Sequence, residues 1–348
     1  MSCNFPILAY RKIPDGTDTM QTLSFNPRHA GNGSLETVRV KCGRCLGCRE
    51  AKSKEWALRC VHESQLYGHH NCFITLTLNS YFIPKGGTLD HKLWTRFMSR
   101  FRKTYKGHFG VIDENGTGTF PIRYYHVGEY GGKYGRPHHH ACIFNFRFDD
   151  LVLFKHDKKT GVKIYLSEKL MDLWSVRIKT KDSYKYPAEL LWLDDNNRLH
   201  ARLGNCTVGE VNFQSAAYLA RYMCKKGDKK TDAKRLTDID LDTGELIEKI
   251  PEYQTMSLKP GIGADWFAAN HADCFPKDFT THAGKKYKIP SYYEKIYDIT
   301  NSEKLEQLKK ERTINAVKHR KSETELKQRE LNMKAKHKRL TRRFENAT

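Results

Sequence analysis

An α+β fold follows from three features of the sequence. Strand-like and helix-like patterns alternate between about residues 71 and 230, and two of the strand patterns flank a short glycine-rich loop as an antiparallel pair. Helical patterns of 3.6-residue period lie among them. The two ends differ from this middle in kind: a tight cysteine cluster on one side, and on the other a highly charged zone nearly free of glycine, proline and aromatic residues. With 348 residues the chain can bury a sizeable core, and one large domain with appendages is expected.

Four zones are expected. Residues 1–70 form a cysteine-rich module and a helix over 49–67, with Trp56, Cys60 and Leu66 set among charges. Residues 71–230 form the main domain. It opens with a β-branched strand over 72–78, ended by Asn79-Ser80. Residues 91–105 put Leu93, Trp94, Phe97, Met98 and Phe101 on one helical face. Strands over 123–129 and 138–148 pair around Gly131-Gly132-Lys133-Tyr134-Gly135. A helix over 167–175, a strand over 205–212 and a helix over 215–226 follow, the last with Ser215 as a plausible N-cap. Residues 231–300 are an extension holding the turn-rich element Ser257-Leu258-Lys259-Pro260-Gly261-Ile262-Gly263 and then Trp266. Residues 301–348 carry fifteen Lys/Arg against seven Asp/Glu, and Leu305, Leu308, Ile314, Val317, Leu326 and Leu331 are too sparse for a coiled-coil seam. A basic, partly helical or disordered arm is expected there. No internal repeat is present.

The formal net charge of +21 and a pI near 9.5 favour a polyanionic partner, with nucleic acid as the default. The sequence has neither a hydrophobic span nor a signal peptide, which argues against a membrane partner. Ten cysteines are present, and Cys42, Cys45 and Cys48 stand too close together for a disulfide framework. Thiolate–metal chemistry in a reducing cytoplasm fits them better.

Arg136-Pro137-His138-His139-His140-Ala141-Cys142-Ile143-Phe144 sets three histidines at the head of an apolar alternation. Side chains two apart on a strand share a face, so His138 and His140 can converge on one metal while His139 faces away. Histidines near strand ends are often plain surface residues, and two imidazoles rarely hold a hard cation alone. Glu129, across the short loop, is a candidate third ligand for Mg2+ or Mn2+, with His126 and His139 as weaker rivals. Tyr218-Leu219-Ala220-Arg221-Tyr222 carries two tyrosines at i,i+4, followed by Lys225 and Lys226. Such a pair is commonly a core stripe. Here cations surround it, and a phenol of pKa near 10 needs them to act as a nucleophile at neutral pH. Lys226 lies one turn beyond Tyr222. A histidine pair for a cation, a tyrosine pair for nucleophiles and a basic chain together point to DNA strand cleavage through a phosphotyrosine.

Cys42-Gly43-Arg44-Cys45-Leu46-Gly47-Cys48 is C-x2-C-x2-C, whose glycines relieve the backbone so that thiolates can converge. Zinc or an iron–sulfur cluster suits such a set, and structural Zn2+ is the expectation. Cys3, Cys60 and His62 are candidates for the fourth ligand, with Cys3 or Cys60 favoured. Lys41, Arg44, Arg49, Lys52 and Lys54 around it suit a metal-clamped module that contacts DNA.

The Phe73–Leu78 strand, the Gly128-Glu129-Tyr130-Gly131 turn, the Pro137-His138-His139-His140 block and the run from Tyr218 to Lys226 resemble the three ordered motifs of HUH-type rolling-circle replication initiators. The cysteine cluster with Arg49, the helix from Trp56 to Glu63 and the Pro-Gly-Ile-Gly element resemble the initiators of gokushovirus-type microviruses. The resemblance spans about residues 3–270, with histidine at position 139 where the family often has a bulky residue. It implies a palm-like antiparallel sheet with flanking helices and metal-dependent nicking of origin DNA, in the double-stranded replicative form and as single strand. It further implies a 5′-phosphotyrosyl intermediate that leaves a 3′-OH primer, followed by cleavage and circularisation of the displaced strand in the host cytoplasm. A host helicase and polymerase are the implied protein partners. Metal ligands carry over to His138 and His140, nucleophiles to Tyr218 and Tyr222, and Glu129 less directly. The alternatives are a plasmid relaxase or transposase of the same chemistry, and a non-catalytic zinc-containing DNA-binding or packaging protein.

Overall fold

The computed structural model describes residues 2–12, 23–29, 35–105, 121–132, 134–158, 161–221, 236–239, 243–318 and 321–345. They group into two compact units, residues 54–302 and residues 1–53 with 303–348.

The larger unit is built on a seven-stranded antiparallel sheet. Its strand order is Tyr253–Met256, Arg123–Tyr130, Pro137–Phe144, Asn71–Thr77, Cys206–Gly209, Lys163–Leu166 and Val152–His156. Period-2 alternation gives the central strands two different apolar faces. Cys72, Ile74, Leu76, Ala141 and Ile143 face one way and pack on Trp94, Phe97, Met98 and Phe101. Those four residues form one face of the helix His91–Thr104, whose first turn is capped by the Asp90 carboxylate accepting from the Lys92 amide at 2.8 Å. Tyr125, Val127, Cys142 and Phe144 face the other way, onto Trp56, Ala57 and Cys60 and onto Ala216, Leu219 and Ala220 of the helix Phe213–Arg221. The sheet is thus covered on both sides, and it carries its polar residues at one end of the central strands.

Three expectations need correction. The tyrosine helix starts at Phe213, and Asn212 caps it by accepting from the amides of Gln214 and Ser215, both at 2.9 Å. The hydroxyl of Ser215 instead accepts from the Asn212 amide at 2.9 Å, so the two residues cap reciprocally. The histidine strand ends at Phe144, where Asn145 turns to a φ of 61°. Cys60 is fully buried in the core beneath the sheet, not at the cysteine cluster.

The Pro-Gly-Ile-Gly element is held by a buried polar network. Glu63 pairs with Arg123 and accepts from the Gly263 amide at 2.6 Å, Arg123 donates to the Pro260 carbonyl at 2.8 Å, and Arg59 donates to the Ile262 carbonyl at 2.9 Å. Gly263 has a φ of 79°, and a Cβ there would overlap the Tyr293 hydroxyl. The element therefore fixes the start of the helix Ala264–Cys274.

In the smaller unit, strands Ile7–Lys12, Leu23–Ser24 and Leu35–Val40 form a three-stranded sheet. The basic C-terminal zone is helical over most of its length, within Ser291–Lys318 and Glu323–Glu345. It is also anchored: Leu326 and Glu330, one turn apart, are buried, and Glu330 accepts from the Asn4 side chain at 2.7 Å and the Leu46 amide at 3.3 Å.

Candidate active site and metal centres

Antiparallel register sets the first site. Glu129 stands directly opposite His138, and Thr75 opposite His140, so all four side chains share the sheet face that the tyrosine helix covers. Glu129, His138 and His140 each bring a ligand atom within 4.8 Å of the others. The Glu129 Oε1 lies 2.8 Å from His138 Nε2 and 3.2 Å from His140 Nε2. The outer nitrogens are engaged elsewhere. His138 Nδ1 meets the Arg136 carbonyl at 3.1 Å, and His140 Nδ1 meets the Thr75 hydroxyl at 2.9 Å. The Arg136 carbonyl also accepts from the Gly131 amide at 2.9 Å, so the hairpin turn itself aims His138. Both imidazoles are thereby oriented with Nε2 toward Glu129, the arrangement by which second partners orient metal-binding histidines.

Electrostatics follow the same geometry. Burial alone would push the Glu129 carboxyl up, but His140 and then His138 more than offset it and hold it at about 2. Its Oε2 is buried without a hydrogen-bond partner. Two imidazole nitrogens, one ionised carboxylate and a buried oxygen left over form a donor set that fits a divalent cation with open positions.

The tyrosine helix reaches this point because Ala216 and Ala220 are small and fully buried, letting its backbone approach the sheet. Tyr218 is half-buried; its hydroxyl lies 3.5 Å from Glu129 Oε1, and its ring stands perpendicular to that of His140 at 5.3 Å between centroids. Tyr222, Lys225 and Lys226 lie outside the described residues.

His126 and His139 are not in this site. His139 faces the opposite side of the sheet, where its Nδ1 meets His126 Nε2 at 3.0 Å, and Trp94 stacks on His126 at 3.7 Å. Burial drives both histidines toward the neutral form, His139 to about 3 and His126 well below the ordinary value. They fill the core under the site. Sequence reading missed Thr75, whose only signal was its place in a strand that pairs with the histidines.

The second centre lies in the smaller unit. The sulfurs of Cys3, Cys42, Cys45 and Cys48 lie within 4.8 Å of one another, which makes Cys3 the fourth member. Cys3 Sγ is 3.5 Å from Cys42 Sγ and 3.8 Å from Cys45 Sγ. Four thiolates around one zinc at about 2.3 Å stand roughly 3.8 Å apart, so the set fits a tetrahedral ion. Backbone amides point at the sulfurs, with Asn4 donating to Cys45 at 3.2 Å and Cys42 to Cys3 at 3.3 Å. Burial raises the Cys45 thiol, yet the amides of Asn4 and Cys48 outweigh it and leave Cys45 at about 7, toward the thiolate that a metal needs. Gly47 is required here because a Cβ would overlap the Ser2 carbonyl.

Comparison with known proteins now adds to this geometry. Residues 71–227 match the family model for replication-associated proteins of the ORF2 type. The chain is 32% identical over 272 residues to replication-associated protein VP4 of Bdellovibrio phage phiMH2K, covering 78% of this chain and 71% of that protein. The chain belongs to the microvirus replication-associated protein family. It is also 28% identical over 260 residues to the family's ORF2 protein of Spiroplasma virus 4, covering 74% of this chain and 67% of that one. The ORF4 replication-associated protein of Chlamydia phage 1 is 23% identical over 261 residues, covering 74% and 53%. No solved structure matches the chain. The stretch matched by the family model contains Glu129, His138, His140, Tyr218, Tyr222 and Lys226, and it excludes the cysteine centre. Among the described residues no helix is long and apolar enough to cross a membrane.

Proposed function

We propose that this chain starts viral DNA replication by nicking one strand of replicative-form DNA at the origin, with a tyrosine holding the cut strand. One observation carries the reading. Three residues suited to a divalent cation converge within 4.8 Å, and the Tyr218 hydroxyl lies 3.5 Å from one of them. A nucleophilic phenol beside an electrophilic clamp for phosphate is the pairing that phosphodiester transfer needs. The family membership supports a role in replication, and the net charge of +21 supports a nucleic-acid substrate.

Glu129, His138 and His140 would hold the cation; a bound Mg2+ or Mn2+ supplies polarisation of the scissile phosphate and offsets charge on its oxygens. Two nitrogen donors favour Mn2+ over the harder Mg2+. The phenol oxygen of Tyr218 or Tyr222 attacks phosphorus, and the bond from phosphorus to the 3′ oxygen breaks. The phenol proton passes to solvent, and the departing oxygen takes up a proton to become the 3′-OH primer. The products are a 5′-phosphotyrosine and a free 3′ end, one phosphodiester exchanged for another. Lys226 would ease the charge on the phenolate of Tyr222. The second tyrosine then cuts the displaced strand while the first product is rejoined, closing a circle. A host helicase and polymerase would extend the primer, and the cysteine centre would hold a structural Zn2+ that shapes the N-terminal module.

Incubation with supercoiled origin-bearing DNA and Mn2+ or Mg2+ tests this. Nicked circles and protein joined to a 5′ phosphate through Tyr218 or Tyr222 are expected. A 3′ linkage, or attachment at another residue, would overturn the mechanism.

A further inference from the structure

A cluster of exposed aromatic residues adjoins the histidine strand. Tyr81 lies in the short turn Ser80–Phe82, and Tyr184 in the turn Thr180–Lys185. Tyr186, just after the second turn, stacks on Phe82 at 5.0 Å between centroids and 10° between planes, and meets the Tyr81 ring edge at 6.5 Å. Phe82 packs against the main core, so the cluster has a fixed base. Its outer members do not: Tyr81 is 58% exposed and Tyr184 80% exposed. Tyrosines left open at such levels make a flat, wettable platform.

Position and charge give the platform a direction. Arg136 donates to the Ser80 hydroxyl at 2.9 Å, while its own carbonyl holds His138 Nδ1 at 3.1 Å. The platform therefore begins one residue contact from the proposed metal ligands. Arg136, Lys179, Lys181 and Lys185 are all exposed around it. Lys185 pairs with Asp182 at 2.6 Å and sits 5.7 Å from the Tyr184 ring, which leaves Arg136, Lys179 and Lys181 as the main positive charges. Exposed aromatic rings with cations between them are what a single strand needs: phosphates meet the cations, and unpaired bases stack on the rings without regard to sequence. Duplex DNA keeps its bases stacked inside and would gain only the charge contacts.

We propose that Tyr81 and Tyr184, with Arg136, Lys179 and Lys181, bind the single-stranded DNA that flanks the scissile phosphate, the tyrosines by stacking on bases. The location of the strand relative to the cut rests on the nicking reading; the binding itself does not. The test is fluorescence anisotropy of the full chain with a labelled oligo-dT of about 15 nucleotides in EDTA, so that no cleavage contributes. Tyr81→Ala is expected to weaken binding about ten-fold, and Tyr81→Phe by less than about two-fold, because stacking needs the ring and not the hydroxyl. Tyr184→Ala should give a loss of the same order. The salt slope should stay unchanged in both alanine variants and become shallower in Lys179→Ala with Lys181→Ala. A blunt duplex of equal length should bind all tyrosine variants alike. Unchanged single-strand affinity in both Tyr81→Ala and Tyr184→Ala, with unchanged melting temperature, would overturn the proposal, as would an equal loss on the duplex. The two readings fail separately. A protein that never cuts DNA but loses single-strand affinity in Tyr81→Ala keeps the platform and loses the nicking reading; one that nicks normally with undiminished binding loses the platform alone.

Discussion

Alternation along one strand lets His138 and His140 converge, but their neighbours decide which nitrogen each presents. Thr75 and the Arg136 carbonyl take the Nδ1 atoms, leaving both Nε2 atoms for Glu129 and a cation. Replacing both histidines with alanine is expected to abolish cleavage of a single-stranded origin oligonucleotide while leaving much of its binding, which Lys and Arg contacts supply. Undiminished cleavage by that variant in Mn2+ removes the assignment. Thr75→Val should weaken Mn2+ affinity by about 10–100-fold, as loss of an outer partner does at other histidine metal sites, and Thr75→Ser should restore it. Calorimetric titration of Mn2+ reads this without any DNA present. Tyr218→Phe and Tyr222→Phe each lose a hydroxyl only, so at least one of them should still form a covalent adduct, neither should circularise strands, and the double variant should form none. Gel analysis of labelled DNA under denaturing conditions separates these outcomes.

Two elements carry testable structural weight. The cysteine centre ties the N-terminal residues to the first helical turn of Leu46–Gln65, and the purified protein is expected to hold about one zinc, lost when Cys42, Cys45 and Cys48 become serine. Elemental analysis that finds iron, or no metal, removes that identity and leaves the histidine site untouched. The Pro-Gly-Ile-Gly element depends on Glu63, which is fully buried and answers both Arg123 and the Gly263 amide. Glu63→Ala strands a guanidinium and an amide in the interior, a change that costs about 3–5 kcal/mol. Chemical denaturation should show a lower midpoint; an unchanged one means the loop repacks. The strands, the two covering helices and the cysteine cluster were legible because each has a local period or spacing. The reciprocal cap of Asn212 and Ser215 was not, since either residue could cap the same turn.

At the scale of the whole molecule, stability should depend on pH through its buried histidines. Burial, with a contribution from the charge of His282, holds His62 at about 3, and burial holds His139 at about 3 and His126 well below 6.5. Unfolding frees each to protonate near 6.5, so the unfolded chain binds more protons in this window. Their contribution is complete above about pH 6.5 and is lost as pH falls toward 3, at up to about 1.4 kcal/mol per pH unit for each histidine. Denaturation curves at pH 7.5 and pH 5 check the sign; equal stability at both would show that these histidines are not buried neutral.

The sequence alone determined the strand that aims two histidines together, the helix that spaces two tyrosines one turn apart and the cysteine spacing, because these are properties of neighbours along the chain. It also determined the charge, which is a sum over residues and needs no fold. Tertiary structure decided what depends on distant segments meeting. Cys3 rather than Cys60 completes the cysteine set, since Cys60 points into the core under the sheet. Glu129 rather than His126 joins the histidine pair, since strand register places Glu129 opposite His138 and turns His126 to the other face. Tyr218 reaches that site because two alanines let a helix lie close on the sheet, a fit that no local pattern encodes.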